Sequence, residues 1–308
     1  MNTINIILLV ILINIVPFIW YNYKEIKVTN KQTIIYGILS IIITYLIMSL
    51  TDTKGHYIEL FSTGIISTLF NLSIFYGITN IKKIPKSTLV FILFFTSSIF
   101  QLIPASILNY DLNNLTNSQT LILTCFSDIV LLCILIIIYF KDLKEEFKKV
   151  RGNLYSILDT GFKYWLLGLI VMMISNVIIG LFIKQAQAVN EEGVQDLIKS
   201  SSYLSIFIIG IIAPVVEELT FRKSFRDLFK NDIAFVLISG FIFGAAHMAV
   251  AKDLWDLIYI IPYTSLGIVF AYMYKKTDTV FTSMFMHMFH NTVLTILSVI
   301  GMGVILLW

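Results

Sequence analysis

The sequence predicts an all-α fold, a polytopic membrane helix bundle of about ten transmembrane helices. Hydrophobic residues make up 57% of the 308 residues and charged residues only 13%, whereas a soluble domain carries about 25% charged residues. Apolar runs of about 20 residues recur along the whole chain, and each is long enough to cross roughly 30 Å of hydrocarbon. This pattern excludes a soluble Rossmann or barrel enzyme, and the sequence contains no G-x-x-x-x-G-K-[ST] phosphate loop.

The apolar runs and the basic residues between them predict the spans and their orientation. We predict spans at about 3–21, 33–50, 57–78, 88–108, 118–140, 163–183, 201–229, 232–250, 254–274 and 279–305. Loops on one side, with the tail of the seventh span, hold 18 of the 22 Lys and Arg residues, and the other side holds four. The positive-inside rule therefore predicts that the basic loops are cytoplasmic and that both termini lie outside.

The ends of the chain and its composition indicate where the protein resides. Met1 to Thr3 carry no basic residue, so the first apolar run is predicted to be a span rather than a cleaved signal peptide. The abundance of Ile, Asn and Lys is typical of an AT-rich bacterial genome. We therefore expect a multi-pass protein of the bacterial cytoplasmic membrane, in contact with the lipid bilayer and with no nucleic-acid partner.

The longest cytoplasmic loop, Lys141 to Asp159, divides the predicted spans into two groups of five. Its alternation of charged and apolar residues is typical of an interfacial helix on an anionic membrane surface, although a solvated connector would have the same composition. We therefore predict two regions, 1–150 and 151–308. The five spans of residues 1–150 contain no pattern that indicates their role.

Polar and ionisable residues at membrane depth are the candidates for function, because each is costly to insert. In the N-terminal half, Asp128 lies mid-span, as a proton-relay acid or as a residue hydrogen-bonded between helices. The C-terminal half carries a much denser set on spans seven, eight and ten: Glu217, Glu218, Arg222, His247, His287, His290 and Asn291. Two adjacent carboxylates and three histidines in hydrocarbon indicate a functional site.

Helix geometry predicts how these side chains are arranged. Consecutive residues on a helix are about 100° apart, so we expect Glu217 and Glu218 not to face the same point. Glu218 and Arg222 are spaced i,i+4 with the acid first, the favourable order for an ion pair. This pairing would leave Glu217 as the reactive carboxylate. Pro214 removes a backbone hydrogen bond one turn earlier and is predicted to kink the helix.

Three short motifs resemble those of a known family. Glu217 to Arg222 (EELTFR), Phe243 to His247 (FGAAH) and His287 to Asn291 (HMFHN) are similar to E-E-x-x-x-R, F-x-x-x-H and H-x-x-x-N. These motifs are typical of the CAAX prenyl protease 2 and bacteriocin-processing intramembrane proteases, the CPBP or Abi family. The resemblance covers about residues 160 to 305, and it implies that region 151–308 is the protease core.

The resemblance implies an intramembrane endopeptidase, and the residues suit that chemistry. Glu217 would act as general base for a water, and His247 would carry its proton to the leaving amine. His287 and Asn291 would donate hydrogen bonds to the oxyanion of the tetrahedral intermediate. In the alternative, a metalloprotease, Glu217, His247 and His287 would bind a catalytic zinc. We favour the metal-free glutamate mechanism, in which no cofactor is needed.

Substrates and competing functions follow from the same residues. Eukaryotic members of the family cleave prenylated CAAX proteins, and bacterial relatives are associated with bacteriocin processing, peptide pheromones or immunity. We therefore expect a hydrophobic peptide or a membrane-anchored protein as substrate. One alternative is a non-catalytic bacteriocin-immunity or cell-envelope scaffold protein with the same fold. The other is a proton- or ion-coupled transporter that uses Asp128 and the buried histidines.

Overall fold

The computed structural model describes residues 86–112, 114–182, 188–251 and 255–301, and all regular elements in these ranges are helical. They form helices α1 Lys86–Ile107, α2 Asn117–Phe182, α3 Val189–Ser200, α4 Tyr203–Leu228, α5 Asp232–His247, α6 Asp256–Thr277 and α7 Val280–Val299. Within the described ranges, five helices (α1, α2, α4, α6 and α7) are long and apolar enough to cross a membrane, and α5 is a shorter apolar helix. The predicted all-α membrane fold is confirmed.

The predicted number of about ten spans is not confirmed. The first three predicted spans lie outside the described residues. The span predicted at 88–108 corresponds to α1, and the last four correspond to α4, α5, α6 and α7. The spans predicted at 118–140 and 163–183 are joined in α2, a helical stretch of 66 residues that is interrupted at Asn153.

Helix α2 reverses direction at Asn153, whose backbone is not helical (φ −140°, ψ 29°). We call residues 117–152 α2a and residues 154–182 α2b. In α2a, Tyr139 lies near the last turns of α4, with its ring 5.9 Å from Lys223 Nζ. In α2b, Ile179 packs against Tyr259 at the start of α6, about 39 Å along the helix from the bend. The two halves therefore form an antiparallel hairpin, and its turn lies at the end of the bundle that holds Lys223, here called the basic end.

The segment predicted as an interfacial helix or a solvated connector is helical, is mostly exposed, and sends one carboxylate into the bundle. Glu146 is buried, and its carboxylate accepts hydrogen bonds from the Val280 backbone N–H (2.6 Å) and the Tyr274 hydroxyl (3.0 Å). Lys223 Nζ lies 3.0 Å from the same carboxylate. Glu146 is thus compensated inside the protein, whereas the other charged residues of the segment are exposed or half-buried. The proposed boundary at residue 150 thus falls inside α2, and the division into two regions stays a prediction.

Helices α5 and α6 pack with their backbones in close contact. Gly240 and Gly244 form a G-x-x-x-G pair on α5, the spacing that allows membrane helices to approach closely. A methyl group at Gly240 would lie 2.6 Å from the backbone nitrogen of Ile268, and one at Gly244 would lie 2.8 Å from that of Thr264. Because backbone atoms cannot turn aside, both positions require glycine. This contact fixes the position of His247, the last residue of α5.

Helix α3 covers the opposite end of the bundle, between α2b and α4. Two of its side chains reach neighbouring spans: Asn190 donates to the Tyr263 hydroxyl (3.4 Å), and Gln195 donates to Ser298 (3.2 Å). Within α3, Gln195 also donates to Glu191 (3.0 Å). Glu191 is only 3% exposed. Burial raises the pKa of its carboxyl group to about 8, and the hydrogen bond from Gln195 offsets this only in part.

Replacement of Gly244 by alanine is predicted to destabilise the protein, because the added methyl group would overlap the backbone of α6. Overpacking of this kind costs about 1–3 kcal/mol. Gly180→Ala is the matched control, since a methyl group there would meet no atom within 4 Å. Thermal unfolding in detergent should give a lower melting temperature for Gly244→Ala only. Equal melting temperatures for the two variants would contradict the close contact.

The buried Glu191 carboxyl is predicted to make stability depend on pH. Its pKa rises from 4.5 to about 8 on folding, so the folded state holds a proton that the unfolded state releases between these values. Stability should therefore fall as pH rises through this window, by up to about 1.4 kcal/mol per pH unit. The melting temperature of Glu191→Gln should decline less over pH 5–8, whereas Glu192→Gln, at an exposed neighbour, should follow the wild type.

Candidate active site

Helix α4 is not a regular α-helix where it carries the first motif. Two π-helical segments, Ile208–Ile212 and Glu218–Lys223, flank a short α-helical stretch, Ala213–Glu217. Pro214 lies in that stretch and has no backbone N–H to donate. In an α-helix this N–H would bond to the carbonyl of Gly210, and in a π-helix to that of Ile209. The structure shows a change of helix type around Pro214, and the predicted kink stays a prediction.

The carbonyl groups affected by Pro214 are bound by side chains of α7. Asn291 Nδ2 donates to Ile209 O at 3.1 Å, and Thr292 Oγ1 donates to Gly210 O at 3.0 Å. Hydrocarbon offers backbone groups no water, so neighbouring helices must supply such partners. Asn291, predicted as an oxyanion donor, thus has one amide hydrogen engaged by the backbone and one left for other partners. The two contacts hold α4 against α7 at the level of the motifs.

Glu217 and Glu218 both reach the ring of His287. Glu218 Oε1 lies 3.0 Å from Nδ1 of this histidine, and Glu217 Oε2 lies 3.6 Å from Nε2. The expectation that the two carboxylates would not face the same point is wrong. Helix α7 places one histidine ring between them, so each carboxylate lies beside one of its two nitrogens. The carboxylates differ in access: the Glu218 side chain is fully buried, and that of Glu217 is 18% exposed.

Arg222 is fully buried beside this cluster. Its Nη2 lies 3.4 Å from Glu218 Oε1, which is the i,i+4 pair predicted from the sequence. The guanidinium lies over the rings of Phe243 (4.4 Å) and Phe270 (5.8 Å), where a cation is attracted to the aromatic faces. None of its three nitrogens makes a hydrogen bond with a described residue. Arg222 therefore acts in the site through its positive charge rather than through hydrogen bonds.

His247 approaches the cluster from the end of α5. Its Nδ1 lies 2.9 Å from the carbonyl oxygen of Phe243, and since a carbonyl only accepts, the proton of the neutral ring is on Nδ1. The lone pair of Nε2 then remains for chemistry. The Phe243 ring contacts both histidines, with centroids 4.5 Å from His247 and 5.6 Å from His287. Glu217 lies within electrostatic range of His247.

The other predicted candidates take different positions. His290 faces α2b, where it accepts a hydrogen bond from Trp165 Nε1 at 3.3 Å. His290 therefore joins two helices by a hydrogen bond. Asp128 lies on α2a, within electrostatic range of Glu217. The structure thus brings Glu217, Glu218, Arg222, His247 and His287 together, leaves His290 outside the cluster, and engages the amide of Asn291 with Ile209 O, one turn beyond His287 on α7.

Comparison with known proteins matches the part of the chain that forms this site. Residues 199–293 match the family model described as "Type II CAAX prenyl endopeptidase Rce1-like", and all three motifs lie within this segment. The resemblance read from the motifs is confirmed. The matched segment is shorter than the predicted range of 160 to 305, so the Rce1-like likeness covers α4 to α7 and leaves out the hairpin α2.

The chain is also similar to two bacterial proteins, in each case over part of its length. The chain is 32% identical to the "Putative membrane peptidase YdiL" of Bacillus subtilis, over 35% of this chain and 42% of that protein. It is 27% identical to the UPF0177 protein YxdF of Lactococcus lactis, over 40% of this chain and 70% of that protein. The aligned part of the chain thus spans less than half the length of the first of these relatives. No solved structure matches the chain.

The metalloprotease alternative needs a group of side chains that could bind zinc. Within the described ranges, no three His, Cys, Asp or Glu side chains are grouped so that they could hold a metal ion. Nδ1 of His287 is engaged by Glu218 and Nδ1 of His247 by a backbone carbonyl. Zinc-binding histidines usually have the other ring nitrogen engaged in this way, so Nε2 of both rings remains available as a ligand. Zinc binding by Glu217, His247 and His287 stays a prediction, and no step below depends on a metal.

Sequence reasoning missed the residues that hold the site from α6. Phe270 stacks on His287 at 4.7 Å, and Tyr263 stacks on His247 at 4.5 Å. Neither belongs to a motif, and on an apolar helix an aromatic residue reads as lipid-facing or core. Thr292 was also missed, although its position next to Asn291 and the proline on α4 were both visible in the sequence.

The role of Thr292 predicts coupling with Pro214. Thr292→Val removes the hydrogen bond to Gly210 O and should cost about 1 kcal/mol of stability, within the range measured for hydrogen bonds between membrane helices. In a Pro214→Ala background the restored backbone N–H can bind that carbonyl, so the same change should cost almost nothing. A double-mutant cycle from unfolding in detergent measures this difference. Additive effects of the two changes would reject the compensation.

Proposed function

We propose that this protein is an intramembrane endopeptidase that hydrolyses a peptide bond of a hydrophobic or membrane-anchored peptide or protein, without a metal cofactor. The observation that carries the proposal is the surroundings of one carboxylate oxygen of Glu217. Its Oε2 makes no hydrogen bond with a described residue and lies 3.6 Å from Nε2 of His287. A buried polar atom without a partner is costly, so this pair of atoms favours a water or a polar substrate group beside it.

Glu217 is the general base of the proposed reaction. Its side chain is more accessible than that of Glu218, and the charge of Glu218 is already balanced by Arg222 and His287. Glu217 would take a proton from a water as the water attacks the scissile carbonyl. Other buried polar atoms, on Glu218, Thr220 and Arg222, also have no hydrogen-bond partner among the described residues, and they make the surroundings of Glu217 favourable for water within the bundle.

His247 is the proton carrier. Because its Nδ1 donates to the Phe243 carbonyl, the lone pair of Nε2 can accept a proton and pass it to the leaving amine. The peptide bond then breaks, with the new carboxyl group on one fragment and the amine on the other. His247 and Glu217 come from different helices, α5 and α4, so the substrate would lie between them.

His287 and Asn291 stabilise the oxyanion in this proposal. Glu218 accepts a hydrogen bond from Nδ1 of His287, so Nε2 carries a proton only when the ring is positively charged. The charged ring, flanked by two carboxylates, would donate from Nε2 to the oxyanion. Asn291 retains one amide hydrogen beyond its bond to Ile209 O, and this hydrogen is the second donor. Asn291 therefore combines a structural and a chemical role.

The comparisons support a membrane peptidase, since the matching family model is that of a CAAX prenyl endopeptidase and one relative is named a membrane peptidase. Both relatives are bacterial, in keeping with a bacterial cytoplasmic membrane. We propose that the substrate approaches from the cytoplasmic side. Processing of a bacteriocin or another short hydrophobic peptide is the role that we favour among the possibilities open to the family.

Exchange of Glu217 for glutamine is predicted to abolish proteolysis while leaving the fold intact, because the amide has the same shape and cannot act as base. The test compares the membrane and secreted peptide pools of cells that produce wild type or Glu217→Gln. Fragments found only with wild type identify the substrate and the cleaved bond. His247→Ala and His287→Ala should remove the same fragments.

The control is Glu145→Gln, at an exposed position on α2, which should leave the fragments unchanged. All variants must be present in the membrane in equal amounts. Identical peptide pools from wild type and Glu217→Gln would reject the protease and favour the scaffold or immunity function. Persistence of the fragments in one of the histidine variants would remove that histidine from the mechanism.

A further inference from the structure

The ring of His247 contacts two aromatic rings. One is that of Phe243, one turn earlier on the same helix, with its centroid at 4.5 Å and its plane tilted by 50°. The other is that of Tyr263 on α6, which is stacked nearly parallel, at 4.5 Å and 21°. The hydrogen bond to the Phe243 carbonyl fixes one edge of the imidazole, and the stacked tyrosine limits rotation of the ring about that edge.

Tyr263 is itself held in place from α3. Its hydroxyl accepts a hydrogen bond from Asn190 Nδ2 at 3.4 Å. Helix α3 is in turn anchored by the buried Glu191 and by Gln195, which reaches Ser298 near the end of α7. The tyrosine therefore links the covering helix α3 to a histidine of the candidate active site, although neither α3 nor α6 carries one of the three motifs.

We propose that Tyr263 is a positioning residue for His247: its ring holds the imidazole in the orientation that presents Nε2 to Glu217. This inference rests on the proposed function for its catalytic consequence, but the positioning itself does not depend on it. A stacked aromatic pair contributes through ring geometry, so phenylalanine should replace Tyr263 and leucine should not. Small displacements of a proton carrier are costly, because proton transfer requires alignment within hydrogen-bond distance.

The positioning is tested by the reactivity of His247 towards diethyl pyrocarbonate, which modifies the unprotonated ring nitrogen and needs no substrate. The full-length protein is treated in detergent, and modification of each histidine is followed by peptide mass spectrometry. Tyr263→Leu should raise the rate at His247 about two- to ten-fold, and Tyr263→Phe should match the wild type. Buried His290, bound to Trp165, is the internal reference, and its rate should stay constant.

Asn190→Ala provides a second variant that leaves both rings in place. This removes the same hydrogen bond as Tyr263→Phe and keeps the stacked ring, so His247 should again react at the wild-type rate. If the rate at His247 is unchanged in Tyr263→Leu, the proposal is overturned. It is also overturned if His290 becomes reactive to the same extent as His247, since the substitution would then act on the whole fold.

The catalytic consequence is measured on the fragments that distinguish wild type from Glu217→Gln. With the substrate so identified, Tyr263→Leu should lower kcat about two- to ten-fold with KM little changed, and Tyr263→Phe should restore it. A fall in kcat of equal size in Tyr263→Phe would overturn the stacking role. If wild type itself cleaves nothing, the proposed function fails, while the modification rates still decide whether Tyr263 positions His247.

Discussion

The structure of the site depends on the requirement that every backbone polar group in hydrocarbon has a partner. Pro214 removes one donor from α4, and the chain meets the deficit with Asn291 and Thr292 of α7. These bonds set the height at which the two helices pack, and that height brings His287 to the paired carboxylates. A proline in one motif-bearing helix thus explains why an asparagine is needed at a fixed place in another.

The charges near Glu218 form a compensated group within this frame. Glu218 has both Arg222 and His287 beside it, and Arg222 is further covered by aromatic rings. The loss of any one member would leave a buried charge without compensation, which is far more costly than the pair is stabilising. Glu217 lies at the edge of this group and is more accessible. The same arrangement therefore supplies both a rigid support and one carboxylate that is available for reaction.

Much of the architecture was visible in the sequence because hydrocarbon imposes simple rules on length and polarity. The apolar runs predicted α1 and α4 to α7, and the spacing of Glu218 and Arg222 predicted their contact. Three features were not predictable in this way. The predicted loop 141–159 is helical on both sides of the bend at Asn153, which Gly152 precedes. The shared ring of His287 depends on how α7 packs, and Tyr263 carries no charge that would mark it. Each of these depends on tertiary contacts between segments far apart in sequence.

Glu146 has a consequence for the way the protein is made. Its partner Val280 lies 134 residues later in the chain, and at 5–20 residues per second the ribosome needs roughly 7 to 27 s to reach it. Until then the carboxylate at the turn of α2 must remain hydrated at the membrane surface. The beginning of α7 can dock there only after these 134 residues have been made, and the same helix delivers His287. The newly made protein therefore inserts most of its spans before the reactive group is assembled.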